Sequence, residues 1–171
     1  MQKKTFLITG GSGGIGSALA HKLIKTSYTP LIVYKSNREK AEDLAKAVDG
    51  EAIELNLIDL NAVDRVVDNL ASSDAVLAGV VLGASAPLKI TSFGHISEQD
   101  MENQWRVNVL GHQRLLAGLV RKVFSKRKQG IVVGILSDAM GTTEKANSTS
   151  LGAYITAKYG LQGLLAVLKA E

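Results

Sequence analysis

Thr5-Phe6-Leu7-Ile8-Thr9 runs without a break into Gly10-Gly11-Ser12-Gly13-Gly14-Ile15-Gly16, and the reading of the chain turns on this junction. The first five residues are apolar or β-branched and predict a buried strand. A sharp strand-to-helix turn needs φ values that glycine adopts without penalty. A pyrophosphate needs backbone approach free of Cβ atoms, and the first turn of a helix offers unpaired N–H groups to an anion. A glycine turn alone is weak evidence, but this one follows a strand and opens an amphipathic stretch over Ile15–Thr26. It points to a dinucleotide held by Gly10, Ser12, Gly13, Gly14, Ile15 and Gly16. Ser17-Ala18 follow Gly16, where a Walker phosphate loop needs lysine and a hydroxyl residue, so a kinase or GTPase is not expected.

Outward from this turn, two kinds of segment alternate. Short β-branched runs occupy Thr5–Thr9, Pro30–Tyr34, Ala52–Leu55, Ala75–Leu82 and Ile131–Leu136. Amphipathic stretches occupy Ile15–Thr26, Arg38–Val48, Leu60–Leu70, Glu98–Phe124 and Ala153–Lys169. Strand–helix alternation predicts right-handed crossovers and a parallel sheet. The expected fold is α/β: a doubly wound Rossmann fold, strand order 3-2-1-4-5, with helices on both faces. Pro30 is placed at the first position of its strand, where a missing N–H is tolerated. Ser97 and Asp100 have the spacing of a capping box at the start of the fourth helix. The polar stretch Thr142–Ser150 reads as a mobile loop.

Composition narrows the classes. The 171 residues are 46% hydrophobic and 21% charged, ordinary for one globular domain. The lack of cysteine excludes disulfides, thiolate metal sites and cysteine catalysis. His21, His95 and His112 have no ligand spacing and read as surface or interface residues, so no metal is expected. The net charge of +4 is scattered, apart from Lys126-Arg127-Lys128. That cluster suits the negative end of a helix dipole better than a nucleic-acid patch. No signal or membrane-spanning segment is visible, and the cytoplasm is the default location.

The second strand ends in Val33-Tyr34-Lys35-Ser36-Asn37-Arg38, with no carboxylate before Glu39. An acidic residue at this place accepts the ribose hydroxyls of NAD, whereas basic residues suit a 2′-phosphate. Lys35, Ser36, Asn37 and Arg38 therefore point to NADP(H). The alternative is a solvated turn in which Ser36 or Asn37 caps the next helix.

Tyr154 and Lys158 lie four positions apart and so share one face of the last helix. A cation near a phenol favours phenolate and suits acid–base work. Together with the glycine turn, this pair resembles the short-chain dehydrogenase/reductase family, classical type, and its 3-oxoacyl-ACP reductases. Thr9–Gly16 matches the family's TGxxxGxG motif through Gly10, Gly14 and Gly16. Asn56-Leu57 stands at the adenine-contacting position, Leu82-Gly83-Ala84-Ser85 at the NNAG motif, and Val107-Asn108-Val109-Leu110-Gly111 at the segment bearing the family's asparagine. Ser137 stands at the serine position, and Tyr154 with Lys158 completes YxxxK.

The resemblance implies an oxidoreductase that moves a hydride between NADP(H) and a carbonyl or secondary alcohol. Tyr154 would exchange the proton, Lys158 would hold the nicotinamide ribose, Ser137 would position the carbonyl, and Asn108 would hold a water behind Lys158. Asn56, Leu57, Gly83, Ala84, Ser85, Tyr154 and Lys158 would join the cofactor site, and a homodimer or homotetramer is implied. Both asparagines of NNAG are missing from Leu82–Ser85, so the hydrogen bonds with which they brace the sheet must be replaced. Gly134 stands where an asparagine is frequent. Ser137 and Tyr154 are 17 positions apart, which leaves Ser148 and Ser150 as nearer alternatives.

The family continues beyond the Tyr–Lys helix with further strands and a substrate-covering segment. The expectation is thus one NAD(P)-binding domain over residues 1–171, incomplete at its C-terminus, with the fifth strand an open edge. Two rival readings remain. The glycines also satisfy TGxxGxxG of extended relatives, the nucleotide-sugar epimerases and dehydratases, and a non-catalytic NADP(H)-binding regulator would keep the same fold.

Overall fold

Alternation along each apolar run sends its side chains to two opposite faces, and the strands assemble accordingly. The computed structural model describes residues 4–142 and 145–171; Met1, Gln2, Lys3, Thr143 and Glu144 lie outside it. Strands β1 (Lys4–Thr9), β2 (Tyr28–Tyr34), β3 (Glu51–Glu54), β4 (Val76–Leu82) and β5 (Ile131–Gly134) form one sheet in the order β3-β2-β1-β4-β5. Every pair is parallel. The strand order reverses direction between β1 and β4, and the crevice at their carboxyl ends is where such sheets bind ligands.

Helices α1 (Gly14–Leu23) and α2 (Arg38–Ala47) cover one face. Phe6, Ile8, Ile32, Tyr34 and Val81 meet Ala20, Ala41, Leu44 and Val48 there. Helix α3 (Leu60–Ser72), the long segment between β4 and β5, and α7 (Gly152–Ala170) cover the other. Leu7, Leu31, Val33, Leu77, Val80 and Leu82 pack there on Val63, Val67, Leu115, Leu119 and Leu161. Leu77 and Val80 share this face although they are three residues apart. A bulge explains it: Thr5 pairs with Leu77 but Phe6 pairs with Gly79. The extra residue restores the inward face of β4, which a one-residue slip would otherwise turn outward.

Three expectations change in detail. Pro30 is the third residue of β2, not its first, and pairs with Phe6. It is tolerated because β3 pairs with β2 only from Leu31 onward, so no ladder bond needs the missing N–H. The helix expected over Glu98–Phe124 extends to Arg127 and changes its winding twice. It runs as α4 (Glu98–Trp105), a π-helical segment Arg106–Gly111, α5 (His112–Leu119), a second π segment Val120–Phe124, and α6 (Ser125–Arg127). Ser97 and Asp100 form the full capping box at its start, and Lys128, at φ +50°, ends it. The loop before α7 is tied down rather than loose in its described part. Lys145 pairs with Asp138 at 2.5 Å, and Tyr159 Oη bonds the Met140 carbonyl and Asn147.

Strand β5 is an edge. Its Ile131 and Val133 are 50% and 41% exposed, while Val132 between them packs into the core beneath α5 and α7. Among the described residues, no helix is long and apolar enough to cross a membrane.

Candidate functional site

A cleft of about 910 Å³ runs across the carboxyl ends of the strands. The glycine turn forms one wall, and each glycine has its own reason. Gly10 has φ +68°, and a Cβ there would lie 2.9 Å from Ala84 Cα. A Cβ on Gly16 would lie 2.5 Å from the Gly10 carbonyl oxygen. These two glycines let the turn close upon itself and upon the loop after β4. Gly14 differs, because a Cβ there would meet no protein atom within 4 Å. Nothing inside the chain requires glycine at that place.

One end of the cleft is framed by Lys35 and Ser36 after β2 and by Asn56 and Leu57 after β3. The four residues Lys35–Arg38 divide into two pairs. Lys35 and Ser36 line the cleft. The Asn37 side chain caps α2, accepting the Lys40 N–H at 3.1 Å. Arg38 Nε donates to Glu42 Oε1 at 2.7 Å on the outer surface of that helix, holding the Glu42 carboxyl below its usual pKa. Gly83, Ala84 and Ser85 form the floor, and the loop from Pro87 to Ile96 forms the far wall. Lys89, paired with Asp100 at 2.8 Å, and the Thr91–Leu151 bridge pin that loop to α4 and to the start of α7.

Tyr154 and Lys158 project from the first turns of α7. Tyr154 is half-buried. Lys158 is only 2% exposed; its Nζ donates to the Ile135 carbonyl at 2.9 Å and lies 5.6 Å from the centre of the Tyr154 ring. Burial pushes the Lys158 ammonium below its ordinary pKa. An ammonium has three N–H donors, and Ile135 is the hydrogen-bond acceptor it finds among the described residues. The remaining capacity suits a hydroxyl-bearing ligand. Ser137 follows β5, and its Oγ accepts the Ala139 N–H at 3.2 Å. Of the nearer serines, Ser150 borders the cleft, and Ser148 donates its N–H to the Ala139 carbonyl at 2.9 Å.

Residues 4–171 match the family model described as short chain dehydrogenase. The chain belongs to the short-chain dehydrogenases. It is 27% identical over 175 residues to 3-oxoacyl-[acyl-carrier-protein] reductase FabG of Aggregatibacter actinomycetemcomitans, covering 98% of this chain and 69% of that protein. It is 28% identical over 176 residues to the fatty acyl-CoA reductase of Acinetobacter baylyi, covering 98% of this chain and 57% of that one. The crystal structure of a short-chain dehydrogenase from Streptomyces avermitilis superposes with a TM-score of 0.85 at 25% identity. The match covers 97% of this chain and 59% of that one. The chain therefore spans roughly three-fifths to two-thirds of the length of these relatives.

Within this short-chain dehydrogenase, Asn108 occupies the first π segment and is fully buried. Its Nδ2 donates to Gln104 Oε1 at 2.9 Å and to the Gln104 carbonyl at 3.1 Å. Its Oδ1 is buried without a hydrogen-bond partner among the described residues. π segments are common at functional sites because they release a backbone group from the helical ladder. One expectation is corrected here. His112 is not a surface or interface residue but is fully buried, with its ring between Thr9 and the Asn108 carbonyl. Gln104, 4% exposed, joins it as a buried polar residue. The signal was present: Gln104, Asn108 and His112 recur every fourth residue, a polar stripe on a face that must point inward.

Proposed function

We propose that this chain is the dinucleotide-binding and proton-transferring part of an NADP(H)-dependent carbonyl reductase or alcohol dehydrogenase. The observation that carries this reading is the buried ammonium of Lys158, 5.6 Å from the centre of the half-buried Tyr154 ring, on the helix whose first residues Gly152 and Ala153 line the same cleft as Gly10, Ser12 and Gly13. A nicotinamide dinucleotide lying in the cleft supplies the hydride.

The chain's own residues do the rest. Tyr154 Oη gives a proton to the substrate oxygen during reduction and takes one back during oxidation. Lys158 keeps a positive charge beneath the ring and offers its N–H donors to ribose hydroxyls. Ser137 keeps its hydroxyl hydrogen to donate, since its oxygen already accepts the Ala139 N–H, and so orients a carbonyl. Asn108 Oδ1, buried without a partner among the described residues, would hold a water by which Tyr154 recovers its proton. Lys35, at the cleft without a neighbouring carboxylate on its own strand end, supports a 2′-phosphate and hence NADP(H). The names of the relatives favour an acyl thioester as substrate, and Pro87, Leu88 and Ile96 give the far wall an apolar lining for it. Partly exposed Met101 and Trp105 on α4 and Tyr159 on α7 support assembly as a homodimer or homotetramer, which sedimentation of the full-length protein tests.

The function is tested by mixing the full-length protein with NADPH and a panel of ketones and 3-oxoacyl thioesters. Oxidation of NADPH by wild type that disappears in Tyr154→Phe supports the reading. Tight NADPH binding without turnover of any carbonyl overturns it in favour of a regulatory protein.

A further inference from the structure

The loop after β4 carries neither asparagine that its relatives' motif would supply, yet it is held at both ends. At its start, the N–H groups of Gly83 and Ala84 donate to Thr9 Oγ1 at 3.0 and 3.1 Å. At its end, the Pro87 carbonyl accepts Gln104 Nε2–H at 2.9 Å. A continuous path of buried bonds joins the two ends through the helix. Thr9 Oγ1 lies 3.0 Å from His112 Nε2, His112 Nδ1 lies 3.2 Å from the Asn108 carbonyl, and Asn108 Nδ2 lies 2.9 Å from Gln104 Oε1. We infer that His112 and Gln104 are positioning residues that brace residues 83–87 against the dinucleotide cleft, replacing side chains the loop itself lacks. What the loop faces rests on the proposed function; the brace itself does not.

The surrounding donors and acceptors favour one arrangement of the hydrogens. A carbonyl can only accept, so the bond to Asn108 requires a hydrogen on His112 Nδ1. Burial holds the His112 pKa down to about 4, with the Lys158 cation adding to the effect, so the ring is neutral at ordinary pH and Nε2 is bare. Thr9 has one hydroxyl hydrogen and two acceptors within reach, the Val81 carbonyl at 3.3 Å and Nε2 at 3.0 Å; it donates to the nearer Nε2, and its two lone pairs receive Gly83 and Ala84. With the hydrogen on Nε2 instead, three N–H groups would compete for two lone pairs, and a bare Nδ1 would face a carbonyl. Gln104 is oriented in the same way. Its oxygen accepts from Asn108 and its nitrogen donates to Pro87, and reversal would set donor against donor and acceptor against acceptor.

Two measurements test the brace. Nitrogen NMR of the full-length protein, with His112 assigned by its loss in His112→Gln, reads the tautomer directly. The brace requires a protonated Nδ1 and a pyridine-like Nε2, and a protonated Nε2 at neutral pH overturns it. NADPH affinity is then compared among wild type, His112→Leu and His112→Gln. His112→Leu is expected to weaken binding about tenfold, with kcat lowered less. His112→Gln, whose amide oxygen can accept where Nε2 does, is expected to recover binding to within about threefold of wild type. A folded His112→Leu that binds like wild type, or a glutamine that rescues nothing, overturns the brace. If wild type binds no dinucleotide, the proposed function fails, and the tautomer still decides for or against the brace.

Discussion

Gly10 and Gly14 belong to one turn but answer to different constraints, and substitution separates them. At Gly10, alanine meets both a left-handed φ and the Ala84 backbone. Gly10→Ala is expected to cost about 1–3 kcal/mol, read as a lowered denaturation midpoint, together with lost NADPH binding. At Gly14, alanine meets open space in the first turn of a helix. Gly14→Ala should therefore melt at or above the wild-type temperature and yet bind NADPH more weakly; equal affinity in titration would remove the pyrophosphate from that place. The residues after β2 divide in the same manner. Lys35→Glu is expected to weaken NADPH at least about tenfold while sparing NADH, whereas Arg38→Ala stays within about twofold. The glycine pattern was legible in the sequence because Gly10 and Gly16 answer to backbone geometry. The fate of Arg38 was not, because Glu42 one helical turn away competes for it, and local spacing does not say which partner wins.

At the scale of elements, the segment from Glu98 to Arg127 is the most instructive. Its capping box and its start were readable from Ser97, Asp100 and the apolar periodicity, whereas its last turn, Ser125–Arg127, lay beyond the expected end. Its two π segments were not readable, because an extra backbone residue per turn has no composition of its own. The polar stripe Gln104–Asn108–His112 is hard to read for a related reason: a histidine followed by Gln113 and Arg114 reads as a surface residue until the helix is rotated onto the sheet. The stripe has a consequence for stability. His112 is held at a pKa of about 4 in the fold against about 6.5 when exposed, so the unfolded chain binds the extra proton first. Stability is therefore intact above about pH 6.5, falls as the pH drops toward 4 and levels below it, a loss of about 3 kcal/mol from this group. Urea denaturation of His112→Gln across that range should show a correspondingly shallower acid limb; an unchanged limb would place His112 in contact with water.

The whole molecule follows from strand alternation with one correction. Five strand–helix alternations and the apolar run of β4 were enough to read a parallel sheet; the order 3-2-1-4-5 came with the Rossmann fold that the glycine turn points to, and the sheet has that order. The bulge between Thr5 and Phe6 lay beyond reach, because strict alternation along β4 would have sent Leu77 and Val80 to opposite faces. The core beneath α3, α5 and α7 depends on that bulge. Leu115, fully buried at its centre, is expected to cost about 2–5 kcal/mol on replacement by alanine, measured by the same denaturation. The catalytic proposal joins this core to the cleft, since Lys158 and Leu161 leave the same helix for both.

Its most direct test follows the hydride itself. The full-length protein is given NADPH deuterated at the transferring position of nicotinamide C4 and a 3-oxoacyl thioester that wild type turns over, and the product is weighed by mass spectrometry. The account predicts one deuterium on the former carbonyl carbon with wild type and no labelled product with Tyr154→Phe. Product without deuterium from wild type, or labelled product undiminished in Tyr154→Phe, would contradict it.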